Sequence, residues 1–102
     1  MNKKVNIEVP KEKIEKFCKE HRIRRLSFFG SVLSETFSPE SDVDVLVEFE
    51  PDQVVGLLRL AEIEIELSEI LKRKADLRTP AELSPYFRKD VLDSAEVQYA
   101  EK

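Results

Sequence analysis

The chain has 102 residues, 41% hydrophobic and 37% charged, with a formal net charge of −4. That length supports one core, giving a single domain over 1–102, and charge well above the roughly 25% average marks a solvated globular protein, not a disordered one. The acidic balance argues against direct nucleic-acid binding, which runs on basic side chains displacing counterions from phosphate; no apolar run nears the roughly 20 residues of a membrane span, so a cytoplasmic location is expected.

Val5, Ile7 and Val9 alternate with polar residues, which predicts a short strand or extended arm ended by Pro10. From Lys11 to His21, Ile14, Phe17 and Cys18 recur at three and four, the period of an amphipathic helix. Arg25 to Phe29 reads as the first core strand, stopped by Gly30. Ser31 to Phe37 suits a short helix or turn, and Ser38-Pro39-Glu40-Ser41 a loop. Val43 to Phe49 is the clearest strand: Val43, Val45 and Val47 share one face, and Asp42, Asp44 and Leu46 the other. Asp52 suits an N-cap for a long helix reaching Lys72, with Leu57, Leu60, Ile63, Leu67, Ile70 and Leu71 along its stripe. Lys74 to Arg78 gives a third strand, Pro80 a turn or small helix, Pro85 with Tyr86 to Leu92 a last helix, and Ala95 to Tyr99 a small strand. Strands and helices in this order give an α+β (α/β) fold.

The lone cysteine, Cys18, can build neither an intramolecular disulfide nor a cysteine zinc cluster, and its helical spacing makes it a packing thiol. His21, beside Arg22 and Arg24, suits a helix C-terminus better than a general base. The basic runs Arg22, Arg24, Arg25 and Lys72, Arg73, Lys74 fit helix ends for the same reason.

Two short motifs carry chemistry. Gly30-Ser31 follows a hydrophobic strand; glycine lets backbone approach a ligand, and amides opening a helical turn favour an anion. Alone, that dipeptide is a common strand-ending turn. Asp42 and Asp44, two apart on a strand, project to one side about 7 Å apart at their Cα atoms, where two carboxylates repel unless a cation intervenes. Magnesium suits such oxygen ligands, with water and substrate phosphates filling its other positions. Asp76 adds a third carboxylate on another predicted strand. If the strands are neighbours, the three converge on one sheet face as a two-metal site; otherwise Asp76 is a surface partner of Lys74 or Arg78.

The order strand, Gly30-Ser31, ten residues, Asp42-Val43-Asp44, long helix, strand with Asp76 resembles the minimal nucleotidyltransferases of the DNA polymerase beta superfamily, over roughly residues 11 to 99. Its small size is similar to that of the MNT antitoxins, whose partner toxin is a helical HEPN ribonuclease. The resemblance implies a small mixed β-sheet with helices packed on one side, magnesium-dependent use of ATP, and transfer of AMP to a tyrosine of the HEPN partner. It also implies roles: Gly30 and Ser31 at the triphosphate, Asp42 and Asp44 on the metal ions, and Asp76 on the attacking hydroxyl and one metal.

Many members of that family follow Gly-Ser with a small residue, an arginine and a glycine, where this chain has Val32-Leu33-Ser34-Glu35. Losing a cation and gaining a carboxylate weakens anion binding unless Arg24, Arg25 or Arg78 compensates. Two further functions therefore stand beside the adenylyltransferase: a binding-only antitoxin or scaffold that occludes its partner, and transfer of a nucleotide to a small molecule or nucleic-acid end. In each, a dimer or a partner chain completes the site, because so small a domain leaves an open shelf that excludes water poorly.

Overall fold

The computed structural model describes residue 7, residues 9–33 and residues 42–101. Most of the strand expected around Val5 to Val9, the segment from Ser34 to Ser41, and with it the Ser34-Glu35 departure, lie outside the described residues. Ile7 and Val9 pack partly buried against the core.

Helix α1, Lys11–Glu20, starts behind Pro10, whose carbonyl accepts the Ile14 N–H at 3.0 Å, and buries Ile14, Phe17 and Cys18 as their spacing predicts. His21 closes it, donating its backbone N–H to the Phe17 carbonyl, and Arg22 then turns the chain with φ of 55°. Strand β1, Ile23–Phe29, begins two residues earlier than the pattern suggested, with an irregularity between Ile23 and Arg25 that lets Ile23 join the core. After a 3-10 turn, Gly30–Leu33, strand β2 occupies Val43–Phe49.

The next helix, α2, spans Leu57–Leu71, not residues 52 to 72. Asp52 does not cap it: Pro51-Asp52 is a turn closed by the Gln53 N–H on the Glu50 carbonyl at 3.0 Å. Two consecutive β-branched residues, Val54 and Val55, then favour extended backbone, so the helix waits for Gly56, whose carbonyl accepts the Leu60 N–H. Ile63, Leu67 and Leu71 are buried along its stripe. Strand β3, Ala75–Arg78, leads to a 3-10 turn at Pro80–Glu82 and helix α3, Pro85–Ser94, capped by the Ser84 hydroxyl. Arg88 staples this region, donating to the carbonyls of Pro80 at 2.9 Å and Leu83 at 3.2 Å. Strand β4, Glu96–Ala100, ends the fold.

The sheet order is β3-β2-β1-β4, antiparallel except for the β2/β3 pair, which α2 makes parallel as a crossover connection. Val43, Val45 and Val47 join Leu26 and Phe28 on the face that α1 and α2 back, where Cys18, Ile63 and Leu67 complete the core. The expected mixed sheet backed by its long helices is therefore found. Leu46 and Ser27, abreast of each other on the opposite face, are also buried. That face is thus covered at its middle row. Among the described residues it is less covered toward the end where Asp42, Asp44 and Asp76 lie.

Strand β3 is an edge, yet its outward amides are occupied. Ala75 N–H donates to the Ser68 hydroxyl and Leu77 N–H to a Glu64 carboxylate oxygen, each at 2.9 Å.

Candidate active site

Three elements meet at one end of the sheet. β1 and β2 run antiparallel with Phe29 opposite Asp44, and β2 and β3 run parallel with Asp44 opposite Asp76. Side chains abreast on neighbouring strands face the same way, so the Asp44 and Asp76 carboxylates rise from one face on strands about 4.8 Å apart. Like charges on neighbouring strands repel. A cation between them relieves that cost.

Gly30 turns the corner immediately after Phe29 with φ of +73°, a backbone that favours glycine. Its missing side chain is also a spatial requirement: a Cβ there would collide with the Asp44 carboxylate oxygen Oδ2 and lie 3.3 Å from its Cγ. The glycine turn and the central carboxylate are therefore in direct apposition. Ser31 lies in the same 3-10 turn.

Asp42, one residue ahead of β2, is exposed and faces Lys74 Nζ at 3.9 Å across the β2/β3 end. The Val43 N–H donates to the Lys74 carbonyl at 2.9 Å and fixes that end. Asp76 is one-third exposed and accepts from the Arg78 guanidinium at 3.2 Å, which also reaches Glu82 at 4.0 Å. Of the three arginines that could compensate for the missing one after Gly-Ser, Arg78 thus lies on the carboxylate face. Arg25 is on that face further along the sheet, held by Glu48 at 3.5 Å. Arg24 is exposed, and its carbonyl accepts the Glu101 N–H.

So the fold brings Gly30, Asp44 and Asp76 together and sets Asp42 at the strand entry beside them. Among the described residues, the three acidic or imidazole ligand atoms drawn within 4.8 Å of one another lie elsewhere, on Glu20, His21 and Glu66. His21 Nε2 is 2.6 Å from Glu66 Oε2, and an Arg59 guanidinium nitrogen is 3.2 Å from Nδ1. Guanidinium has only donors, so Nδ1 accepts and the proton sits on Nε2, aimed at Glu66. His21 also meets the Phe17 ring edge-on at 4.9 Å. This group clasps α1 to α2, an interaction that a lone histidine in a sequence does not announce.

Cys18 is inert packing, as expected: burial pushes its thiol up to about 12. The residues that the sequence left unmarked are Glu64 and Ser68. Their i, i+4 spacing looks like an ordinary polar helix face, and only the course of β3 shows what they hold.

Residues 11–97 match the family model described as Nucleotidyltransferase domain. A candidate protein adenylyltransferase of Methanocaldococcus jannaschii, MJ0435, is 33% identical over 91 residues, covering 89% of this chain and 96% of that protein. Among solved structures, a toxin-antitoxin complex with AMP-PNP superposes with a TM-score of 0.73 at 19% identity, covering 92% of this chain and 76% of that one. A tri-AMPylated HEPN toxin of Shewanella oneidensis in complex with an MNT antitoxin superposes with a TM-score of 0.65 at 18% identity, covering 89% and 70%. At those identities the two superpositions speak for the fold.

Proposed function

The chain belongs to the nucleotidyltransferase domain family, and on that premise we propose that it is the antitoxin of a toxin–antitoxin pair, transferring AMP from ATP to a tyrosine of a HEPN-type toxin. It acts as one domain over residues 1–102, in the cytoplasm. The observation that carries the reading is the apposition of Gly30, Asp44 and Asp76 at one end of the sheet.

The donor set fits magnesium: three carboxylates at one edge offer only hard oxygens, and crowding two of them abreast makes a divalent cation welcome. Asp42, Asp44 and Asp76 would hold up to two such ions. Bound there, the metal supplies Lewis-acid charge for the attacking hydroxyl and the leaving pyrophosphate. Gly30 and Ser31 would hold the triphosphate beside the carboxylates, since Gly30 lies against Asp44. Asp76 orients the tyrosine hydroxyl and accepts its proton as the new O–P bond forms and the bond to pyrophosphate breaks. Positioning and charge compensation account for the catalysis.

The acceptor is a protein chain in this reading. MJ0435 carries the protein adenylyltransferase name, and the superposed MNT antitoxin is bound to an AMPylated HEPN toxin. Val54, Leu57, Leu58 and Tyr86 are more than four-fifths exposed, apolar surface of the kind a partner covers. The test is incubation with labelled ATP, magnesium and a HEPN toxin. Label on a toxin tyrosine, abolished by a chelator, is expected; no transfer with magnesium or manganese overturns the reading.

A further inference from the structure

Strand β3 carries Asp76 on the edge of the sheet, and it is only four residues long. Short edge strands fray, because their outward amides otherwise bond to water. Here the two amides that flank Asp76 are both taken by side chains of α2. Ala75 N–H donates to Ser68 Oγ and Leu77 N–H to Glu64 Oε2, each at 2.9 Å. The Ser68 hydroxyl in turn donates to the Glu64 carbonyl at 2.8 Å, which fixes its own direction. The spacing matches on geometric grounds. Four residues of helix rise about 6 Å and two residues of strand about 6.6 Å, so acceptors at i, i+4 on α2 meet donors two apart on β3.

We infer that Glu64 and Ser68 are positioning residues for Asp76, a clamp through which α2 sets the register of β3 and so the direction of the third carboxylate. A slip of one residue would turn every β3 side chain to the other face. Asp76 would then point into the core packed by Ala75 and Leu77, and Asp44 would lose its neighbour. Burial of Ala75 and Leu77 opposes such a slip from the core side. The clamp adds two contacts from a helix anchored by Ile63 and Leu67.

This inference rests on the proposed role of Asp76 in metal and nucleotide binding, so the experiment reads binding and not turnover. Magnesium is titrated into the protein with a non-hydrolysable ATP analogue, and the magnesium concentration for half-maximal nucleotide binding is measured by calorimetry, at a temperature where circular dichroism shows each variant folded. Glu64→Ala is expected to raise that concentration about 10- to 100-fold. Glu64→Gln, whose amide oxygen still accepts from Leu77, is expected to stay within about 3-fold of the unaltered protein. Should Glu64→Ala fail to fold, Ser68→Ala against Ser68→Thr makes the same comparison at the Ala75 amide. A purely structural role would lower the melting temperature and leave the magnesium midpoint where it was; that result overturns the clamp, as does a Glu64→Gln variant as weak as Glu64→Ala. If the unaltered protein binds no nucleotide with magnesium, the nucleotidyl-transfer reading itself falls and takes the clamp's purpose with it.

Discussion

Asp76 stands directly opposite Asp44 on a parallel neighbour strand, although the whole of α2 separates them in the chain. The proposed chemistry depends on that pairing. Asp44→Asn and Asp76→Asn are each expected to lower AMP transfer by about 100- to 1,000-fold. Thermal melting should show both variants folded, since neither carboxylate belongs to the hydrophobic cluster. Retention of full transfer by either variant would remove that carboxylate from the mechanism.

Gly30→Ala tests the corner separately. The left-handed backbone alone costs an L side chain roughly 1–2 kcal/mol, and the added methyl must also displace the Asp44 carboxylate. A lower urea midpoint is expected, together with magnesium affinity weakened by at least ~10-fold. A variant with lowered stability and unchanged metal affinity would show that the turn does not place Asp44.

Cys18 predicts an alkaline effect whose sign is fixed. Burial raises its thiol from an ordinary 9.0 to about 12, so the folded chain keeps a proton that the unfolded chain loses. The stabilisation is whole below about pH 9 and is lost as pH rises toward 12, at about 1.4 kcal/mol per pH unit. Cys18→Ala should flatten that part of the stability profile, measured as the difference between the two proteins. The native thiol should also resist alkylation at pH 8 until the chain is unfolded.

At the opposite end of the sheet, Glu50 is held above the usual carboxylate range, first by its hydrogen bond with the Glu101 carboxyl and then by that neighbour's charge. A raised acid stabilises the fold below its ordinary pKa and loses that contribution as pH rises. Glu101→Gln keeps a donor toward Glu50 and removes the repulsion. The melting temperature should therefore rise at pH 7 and be unchanged at pH 4. Equal shifts at both pH values would exclude charge as the cause.

Much of this architecture is legible in residue order because periodicity is local. The alternation of Val43, Val45 and Val47 predicted the buried face of β2, and the three-four spacing of Ile14, Phe17 and Cys18 predicted the buried face of α1. The start of α2 was misread because Asp52 has the chemistry of a cap, whereas its place beside Pro51 spends it in a turn. The site divides in the same way. Residue types pointed to Gly30, Asp42, Asp44 and Asp76, but which carboxylates face each other is a matter of strand register. Register here depends on Glu64 and Ser68, whose partners are backbone amides that no side-chain pattern reveals.

The single parallel pair in an otherwise antiparallel sheet has a consequence for how the molecule comes into being. A hairpin of neighbouring strands can zip up locally, but β2 and β3 can align only after the helix between them has formed and swung back across the core. The Asp44/Asp76 pairing therefore rests on a non-local closure and not on a hairpin. A chain truncated before β3 would present the glycine corner and Asp44 without Asp76.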